Sequence, residues 1–429
     1  MAELFSWQKP SADRLEQILR QSTFALDASS VGTGKTYTAC EVLRRLDRRA
    51  LIICPKSAIG VWERVSKEMD VYSRVLSIIN IESLRAGKLP GFYANGSWES
   101  FPPGAMVIHD EVHRGASGPD TLTTAMLAKT KLYKVPVLAL SATIADSPLK
   151  MRAIGFLLGL HNFNRGDYTR WCFHNGCFTI PGQQGLRFPK GEKGQLIMGA
   201  IHEKIKDQMV RLRIQDIKDF PECDTQANLY SLDKRSTSEI NQIYKEMDDH
   251  LKQPHSNIMV ELLRARQRVE LFKIPLLLEL AEDLLEEGRS VVLFVNFRDT
   301  LKKLYDGLKH HGVSVVHGDQ TADERTADVA KFQSNDNHVC VCMTSAGSVA
   351  LSLHDVLHER PRASLITPGW SAVDLVQCLG RIHRAGGTKA VQSFVLCADT
   401  IEERIYRAIK NKMGALSALN GDLTDSDLV

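Results

Sequence analysis

Three clusters of residues in this chain have the types and spacing needed for phosphate chemistry. The first is Ser29-Ser30-Val31-Gly32-Thr33-Gly34-Lys35-Thr36. Gly32, Thr33 and Gly34 let backbone N–H groups approach an anion, Lys35 reaches phosphate oxygens, and Thr36 offers a hydroxyl to Mg²⁺. The strict phosphate-loop pattern has glycine where this chain has Ser29. The second cluster is Val107-Ile108-His109-Asp110-Glu111-Val112-His113, apolar residues running into two adjacent carboxylates. Asp110 is suited to the Mg²⁺ shell, with Thr36 and Glu111 beside it, and Glu111 to orienting and deprotonating an attacking water. The third is Gln377-Cys378-Leu379-Gly380-Arg381-Ile382-His383-Arg384. Arg381 and Arg384, three apart and on one face if helical, are fork-shaped cations matched to phosphate oxygens, and Gln377 lies one turn earlier. In isolation such an arginine pair also suits a solvated basic face.

These groups need elements to hold them. Short β-rich runs alternate with helical ones along the whole chain, the pattern of parallel sheets covered by helices. Strands are expected at Thr23–Asp27, Ala50–Cys54, Met106–Asp110 and Val135–Leu140 in the first half. In the second they are expected at Ser290–Val295, Val313–His317, Val339–Met343, Ser364–Thr367 and Ser393–Ala398. Helical patterns cover Thr36–Leu46 and Pro275–Glu287, the latter stopped by Gly288. Gly, Asn, Pro and aromatic residues break the rhythm at about 155–221, which reads as an irregular excursion with two helical patches. The expected domains are 1–221 and 222–429, each an α/β unit, with a polar tail after Leu419.

A chain of 429 residues suits two domains. No apolar run approaches the roughly 18 residues of a membrane span. Met1–Pro10 carries Trp7, Gln8 and Lys9 where a signal peptide needs an apolar core, so the expected location is cytoplasmic, in a host cell if the chain is phage-encoded. Lys and Arg exceed Asp and Glu by 54 to 51, so any surface for a polyanion must be local. Nine scattered cysteines suit reduced core thiols. Cys172, His174 and Cys177 hint at zinc, but no second pair completes a four-ligand set.

Taken in order, the three clusters resemble those of superfamily 2 helicases, and further segments extend the resemblance over nearly the whole chain. Gln8 resembles the adenine-reading glutamine upstream of the phosphate loop. Ile53-Cys54-Pro55-Lys56-Ser57, followed by Trp62, is similar to a motif that holds the DNA backbone, and Ser141-Ala142-Thr143 to the one that couples hydrolysis to domain movement. Val292–Phe297 with Asn296, His317-Gly318-Asp319 with Arg325, and Thr344–Ser348 with Thr344 and Ser345 match the remaining motifs. Pro368-Gly369-Trp370, the Gly380–Arg384 arginine motif and Thr400–Ile405 resemble the Swi/Snf-like branch. Val112 stands where that branch usually has Ala, and Ala346–Leu353 lacks its double glycine. The compactness resembles phage-encoded branch-migration helicases of the UvsW kind.

The resemblance implies two RecA-like domains, each a mostly parallel sheet flanked by helices, with ATP and Mg²⁺ as cofactors. Lys35, Thr36, Asp110 and Glu111 would act from one domain, and Arg381 and Arg384 from the other. Pro55, Lys56, Ser57, Asn296, Thr344 and Ser345 would hold nucleic acid through its backbone, without reading sequence. The implied function is an ATP-driven DNA translocase that remodels duplex, forked or branched DNA, monomeric and not membrane-bound, with replication or recombination proteins as further partners. A conventional 3′-to-5′ strand separator, an RNA helicase and a nucleotide-dependent clamp are the alternatives. Arg264, Arg266 and Arg268, and Arg211, Arg213 and Lys218, suit either phosphate-facing surfaces or solvated faces. Trp171 and Phe173 suit either a strand-separating loop or a small core cluster.

Overall fold

The computed structural model describes residues 2–113, 121–251, 258–344, 351–367, 369, 371–400, 402–403, 406–407 and 410–411. The chain divides into two compact units, one built on Met1–Lys218 and the other on Asp219–Lys410.

In the first unit the long apolar runs form strands buried on both faces, as parallel sheets require. They are β1 (Phe24–Asp27), β2 (Arg49–Ile53), β3 (Val75–Ile79), β6 (Ala105–Asp110), β7 (Val137–Leu140) and β8 (Met209–Val210). They lie in the order β3-β2-β6-β7-β1-β8 and every neighbouring pair is parallel. A small antiparallel hairpin, β4 (Tyr93–Ala94) and β5 (Ser97–Trp98), stands apart. Parallel neighbours need crossovers, and the helices supplying them cover the sheet. The register aligns Asp27 with Leu140 and Asp110 with Leu140. The glycine-rich loop, Asp110-Glu111 and Ser141 therefore leave the same edge of the sheet from three adjacent strands.

Residues 155–221 hold the two helical patches expected there and, beyond the expectation, a strand. Helices Arg165–His174 and Glu192–Ile205 form there, and Met198, Ile201 and Ile205 bury into the core of the first sheet. The segment then returns β8 to pair with β1. Short, interrupted apolar stretches concealed this because each element buries only a few side chains.

The second unit holds β9 (Cys223–Tyr230), β10 (Ser290–Val295), β11 (Val313–Val316), β12 (Val339–Met343), β13 (Arg362–Ile366) and β14 (Ala390–Cys397). Their order is β11-β12-β10-β13-β14-β9, again parallel throughout. The helix Ile274–Glu286 lies against β10 and β13 and buries Leu277 and Ala281 in the core of this sheet. No described helix is long and apolar enough to cross a membrane.

Candidate nucleotide site and nucleic-acid surface

The loop after β1 is shaped by two left-handed glycines, Gly32 at φ 86° and Gly34 at φ 82°. Gly34 begins the helix Lys35–Arg45, whose N-terminus has no side-chain cap and no acidic residue in its first turn. Its first N–H groups are thus available to an external anion, with the helix dipole in support. Lys35 Nζ donates to the carbonyls of Ser29 (2.9 Å) and Ser30 (3.1 Å), folding over its own loop. Burial lowers its pKa, while Asp27, Glu111 and Asp110 oppose that shift. Gln8 Nε2 donates to the carbonyls of Thr33 (2.9 Å) and Gly34 (3.3 Å), and Phe5 N–H donates to Gln8 Oε1. A Cβ on Gly34 would meet Gln8 Nε2 at 2.3 Å, so glycine is required for this approach as well as for its φ.

Two loop supports escaped the sequence reading. Asp27 is buried beneath the loop and accepts from Ser29 N–H at 2.9 Å, its pKa raised by burial against the pull of Lys35. Arg211, in the chain leaving β8, donates to the Ala28 carbonyl. Ser29, the departure from the glycine pattern, has a use here: its Oγ accepts from Leu212 N–H at 3.1 Å. The only available signal was the charge of these residues, because β8 was not recognised.

Asp110 ends β6 and receives a hydrogen bond from Trp62 Nε1 to Oδ2 at 2.9 Å. Burial, reinforced by Glu111, pushes its pKa up to about 6, against Trp62 and Lys35. Glu111 sits at φ 50°, a left-handed conformation uncommon for this residue type and a local strain at the turn. Its Oε2 lies 3.3 Å from His113 Nδ1. That nitrogen is 2.8 Å from Ser141 Oγ and 3.3 Å from Thr143 Oγ1. Ser141 in turn donates to the Thr143 carbonyl at 2.8 Å, and Ala142 lies buried between them. Glu111 is therefore linked through His113 to Ser141 and Thr143 of the Ser-Ala-Thr segment.

These residues fit a nucleotide with a divalent cation. The helix terminus is uncapped, and the Lys35 ammonium rests on carbonyls that phosphate oxygens can replace. The Asp110 carboxyl is held above its ordinary range by burial and a second acid, so a bound cation would relieve it. Thr36, half-buried in the first helical turn, adds a hydroxyl.

Trp62 is fully buried on Asp110, so it belongs to the carboxylate's support rather than to a DNA-holding surface. Pro55 and Ser57 are half-buried and Lys56 exposed around the single turn Lys56–Ala58 that follows β2. Cys172 and Cys177 are buried, while His174 Nδ1 faces the Arg170 carbonyl at 2.8 Å, so the three do not converge as zinc ligands. Trp171 packs among His161, Tyr168 and the core, whereas Phe173 is 45% exposed.

In the second unit, Arg381 lies in the helix Ala372–Ile382 and Arg384 beyond its end, so the two do not share a helical face. Both meet at the Leu351 carbonyl, through Arg381 Nη1 (3.1 Å) and Arg384 Nη2 (2.7 Å). Arg381 Nη2 also donates to Gln377 Oε1 at 2.7 Å and is buried. Asn296, expected to touch nucleic acid, gives its Nδ2 to Glu270 Oε2 (2.7 Å) and the Thr367 carbonyl (3.0 Å). Glu270 also accepts from the backbone N–H groups of Asn296 and Phe297, which makes it the anchor of that turn. Asn296 is therefore held by the fold. Thr344 Oγ1 donates to the Val295 carbonyl at 3.0 Å. Ser345, Pro368, Trp370 and Ile401 lie outside the described residues.

Arg264 and Arg268 are exposed on the helix Ile258–Phe272, and Arg266 lies over the Phe297 ring at 5.8 Å. Arg213 is paired with Asp216. Lys273 Nζ is buried, 2.6 Å from Glu402 Oε2 and donating to the Val395 carbonyl at 2.8 Å.

Comparison with known proteins places this geometry. The helicase conserved C-terminal domain matches residues 273–386. A protein of Acanthamoeba polyphaga mimivirus, provisionally named an ATP-dependent RNA helicase, is 32% identical over 465 aligned positions, covering 98% of this chain and 84% of its own. Protein CHROMATIN REMODELING 24 of Arabidopsis thaliana is 30% identical over 139 residues, 32% of this chain and 12% of that protein. Among solved structures, S. cerevisiae Dbp5 bound to RNA and ADP BeF3 aligns over 96% of this chain and 88% of its own, with a TM-score of 0.55 and 14% identity, a likeness of fold. The two parallel-sheet units are RecA-like domains. The chain belongs to the superfamily 2 helicases, ATP-hydrolysing proteins whose partner is nucleic acid.

Proposed function

We propose that this chain is an ATP- and Mg²⁺-dependent DNA translocase that remodels forked or branched DNA. The observation that carries the catalytic part is the bonded group Glu111–His113–Ser141–Thr143 beside Lys35 and Asp110. Lys35 and the loop N–H groups of Gly32, Thr33 and Gly34 bind the phosphates, and Gln8 reads the base. Thr36 and Asp110, with Glu111, hold the Mg²⁺ shell. Glu111 takes the proton of the attacking water, and its link to Ser141, Ala142 and Thr143 passes the loss of the γ-phosphate to the segment after β7. Arg381 and Arg384 supply cationic stabilisation after exchanging the Leu351 carbonyl for phosphate oxygens, with Gln377 steering Arg381. Pro55, Lys56, Ser57, Thr344 and Ser345 are the proposed backbone contacts. The domains are proposed to divide near Pro221.

Similarity of about a third of the chain to Arabidopsis thaliana RAD5A (37% of the chain) and mouse RAD54B (33%), both named as DNA repair proteins, favours DNA as the substrate. The name of the mimivirus relative favours RNA as a second reading. Steady-state ATP hydrolysis, measured alone and with equal nucleotide concentrations of single-stranded, duplex and forked DNA and of RNA, separates them. Forked or duplex DNA should stimulate most; stimulation by RNA alone would overturn the DNA assignment.

A further inference from the structure

The first unit exposes an apolar group that the nucleotide site does not use. Near the end of helix Arg165–His174, Phe173 is 45% exposed, and the chain turns at Gly176 into a hairpin in which Phe178 and Arg187 pair in both directions, at 2.9 and 2.7 Å, and Gln183 N–H donates to the Ile180 carbonyl at 3.0 Å. Phe178 is 42% and Ile180 37% exposed on this hairpin. Its root is fixed, because Cys177 buries with Tyr168 and Cys172, and Leu186, Phe188 and Trp171 pack against them. A firm base under an apolar tip differs from a frayed loop. In the segment 165–193, Arg165, Arg170, Arg187, Lys190 and Lys193 are exposed, against the two acids Asp167 and Glu192. The segment 165–193 thus carries a net charge equal to the +3 of the entire chain.

Exposed aromatic residues in a positively charged segment select one partner chemistry. Unpaired nucleotides offer π-faces for stacking and phosphates for the basic side chains, whereas a blunt duplex hides its bases. The helix that precedes the hairpin is tied to the chain downstream of the Ser-Ala-Thr segment. Tyr168 Oη donates to the Pro148 carbonyl at 2.9 Å, and Cys172 Sγ lies 4.0 Å from the same oxygen. Pro148 lies five residues beyond Thr143, which contacts His113.

We infer that Phe173, Phe178 and the basic residues around them form a stacking surface for unpaired nucleotides at a DNA junction. This surface deepens the proposed function, resting on its DNA assignment, and supplies a preference for forks over plain duplex.

The test uses the full chain and a fork with 2-aminopurine in its unpaired arm, titrated without nucleotide at fixed salt, beside a blunt duplex of the same length. The Phe173→Ala/Phe178→Ala double variant should lose about tenfold or more in fork affinity, the scale of one or two lost stacking contacts. It should also lose the 2-aminopurine signal. Duplex affinity and DNA-free ATP hydrolysis should stay within about twofold, as expected for residues remote from the loop. A Phe173→Tyr/Phe178→Tyr variant should restore fork binding by keeping the π-faces. Equal losses on fork and duplex, or an unchanged fork affinity in the alanine variant, overturn the surface. If wild-type protein gives the stacking signal while no DNA stimulates its ATP hydrolysis, the surface stands and the translocase reading fails.

Discussion

At the edge of the first sheet, Lys35, Asp110 and Glu111 are half-buried and meet carbonyls, an indole N–H and a histidine. At the corresponding edge of the second sheet, Glu270 and Lys273 are buried and bound within the unit, to Asn296, Thr367 and Glu402. One scaffold thus keeps charge in two ways. In the first unit, Lys35 rests on backbone carbonyls and Asp110 is buried beside a second acid, an arrangement that costs stability and that a phosphate and a cation would relieve. In the second, charge is matched internally and fixes the turns that follow β10, β13 and β14. Removing a charge should therefore abolish activity without unfolding in the first unit, and unfold in the second.

The sharpest contrast comes from Lys35→Ala and Glu111→Gln. Each should lower the ATP hydrolysis rate by about 10²–10³-fold, the scale of removing one transition-state contact, with an unchanged melting temperature. A melting temperature lowered as much as by a core substitution would remove the distinction. Lys273→Met is the converse. It leaves Glu402 buried without its cation and should cost about 3–5 kcal/mol of stability in urea unfolding.

Asp110→Asn sharpens the comparison through pH. With a folded pKa near 6 against an ordinary 3.8, Asp110 binds its proton more tightly folded than unfolded. Its protonation favours folding, and that support is lost as pH rises from about 4 through 6. The asparagine variant should therefore be inactive yet more stable than wild type at pH 8, by on the order of 1–3 kcal/mol, with the gain shrinking toward pH 4. Urea unfolding at both pH values would show it, and a variant less stable at pH 8 would contradict it. The smallest effect is expected from Trp62→Phe. Loss of the indole donor raises the Asp110 pKa further, so the acid limb of the pH–rate profile should move upward by under about one unit while the alkaline limb stays.

Much of this architecture was legible in the sequence. Buried strands such as Ser290–Val295 and Val339–Met343 are continuous apolar runs, and they fall where expected. Of the edge strands, β11 falls where expected, whereas β3, β8 and β9 did not announce themselves. Cys223–Tyr230 is half polar and alternates in exposure, and β8 is two residues long, because an edge buries less and needs less apolar sequence. The phosphate loop reads directly, since glycine spacing and a lysine at a helix start leave few alternatives. Its supports do not, because Asp27, Trp62 and Arg211 come together only through strand order. Asn296 is a similar case: its motif position is legible, but its partner Glu270 comes from another helix.

The most direct test compares ATP turnover by wild type and Glu111→Gln, each with Mg²⁺ and with or without forked DNA. The account predicts strong stimulation of the wild type by the fork, and a variant that binds the fork equally well while turning over at least about a hundredfold more slowly. A variant that retains wild-type turnover would contradict the role of Glu111 and, with it, the assignment of the first unit as the hydrolytic site.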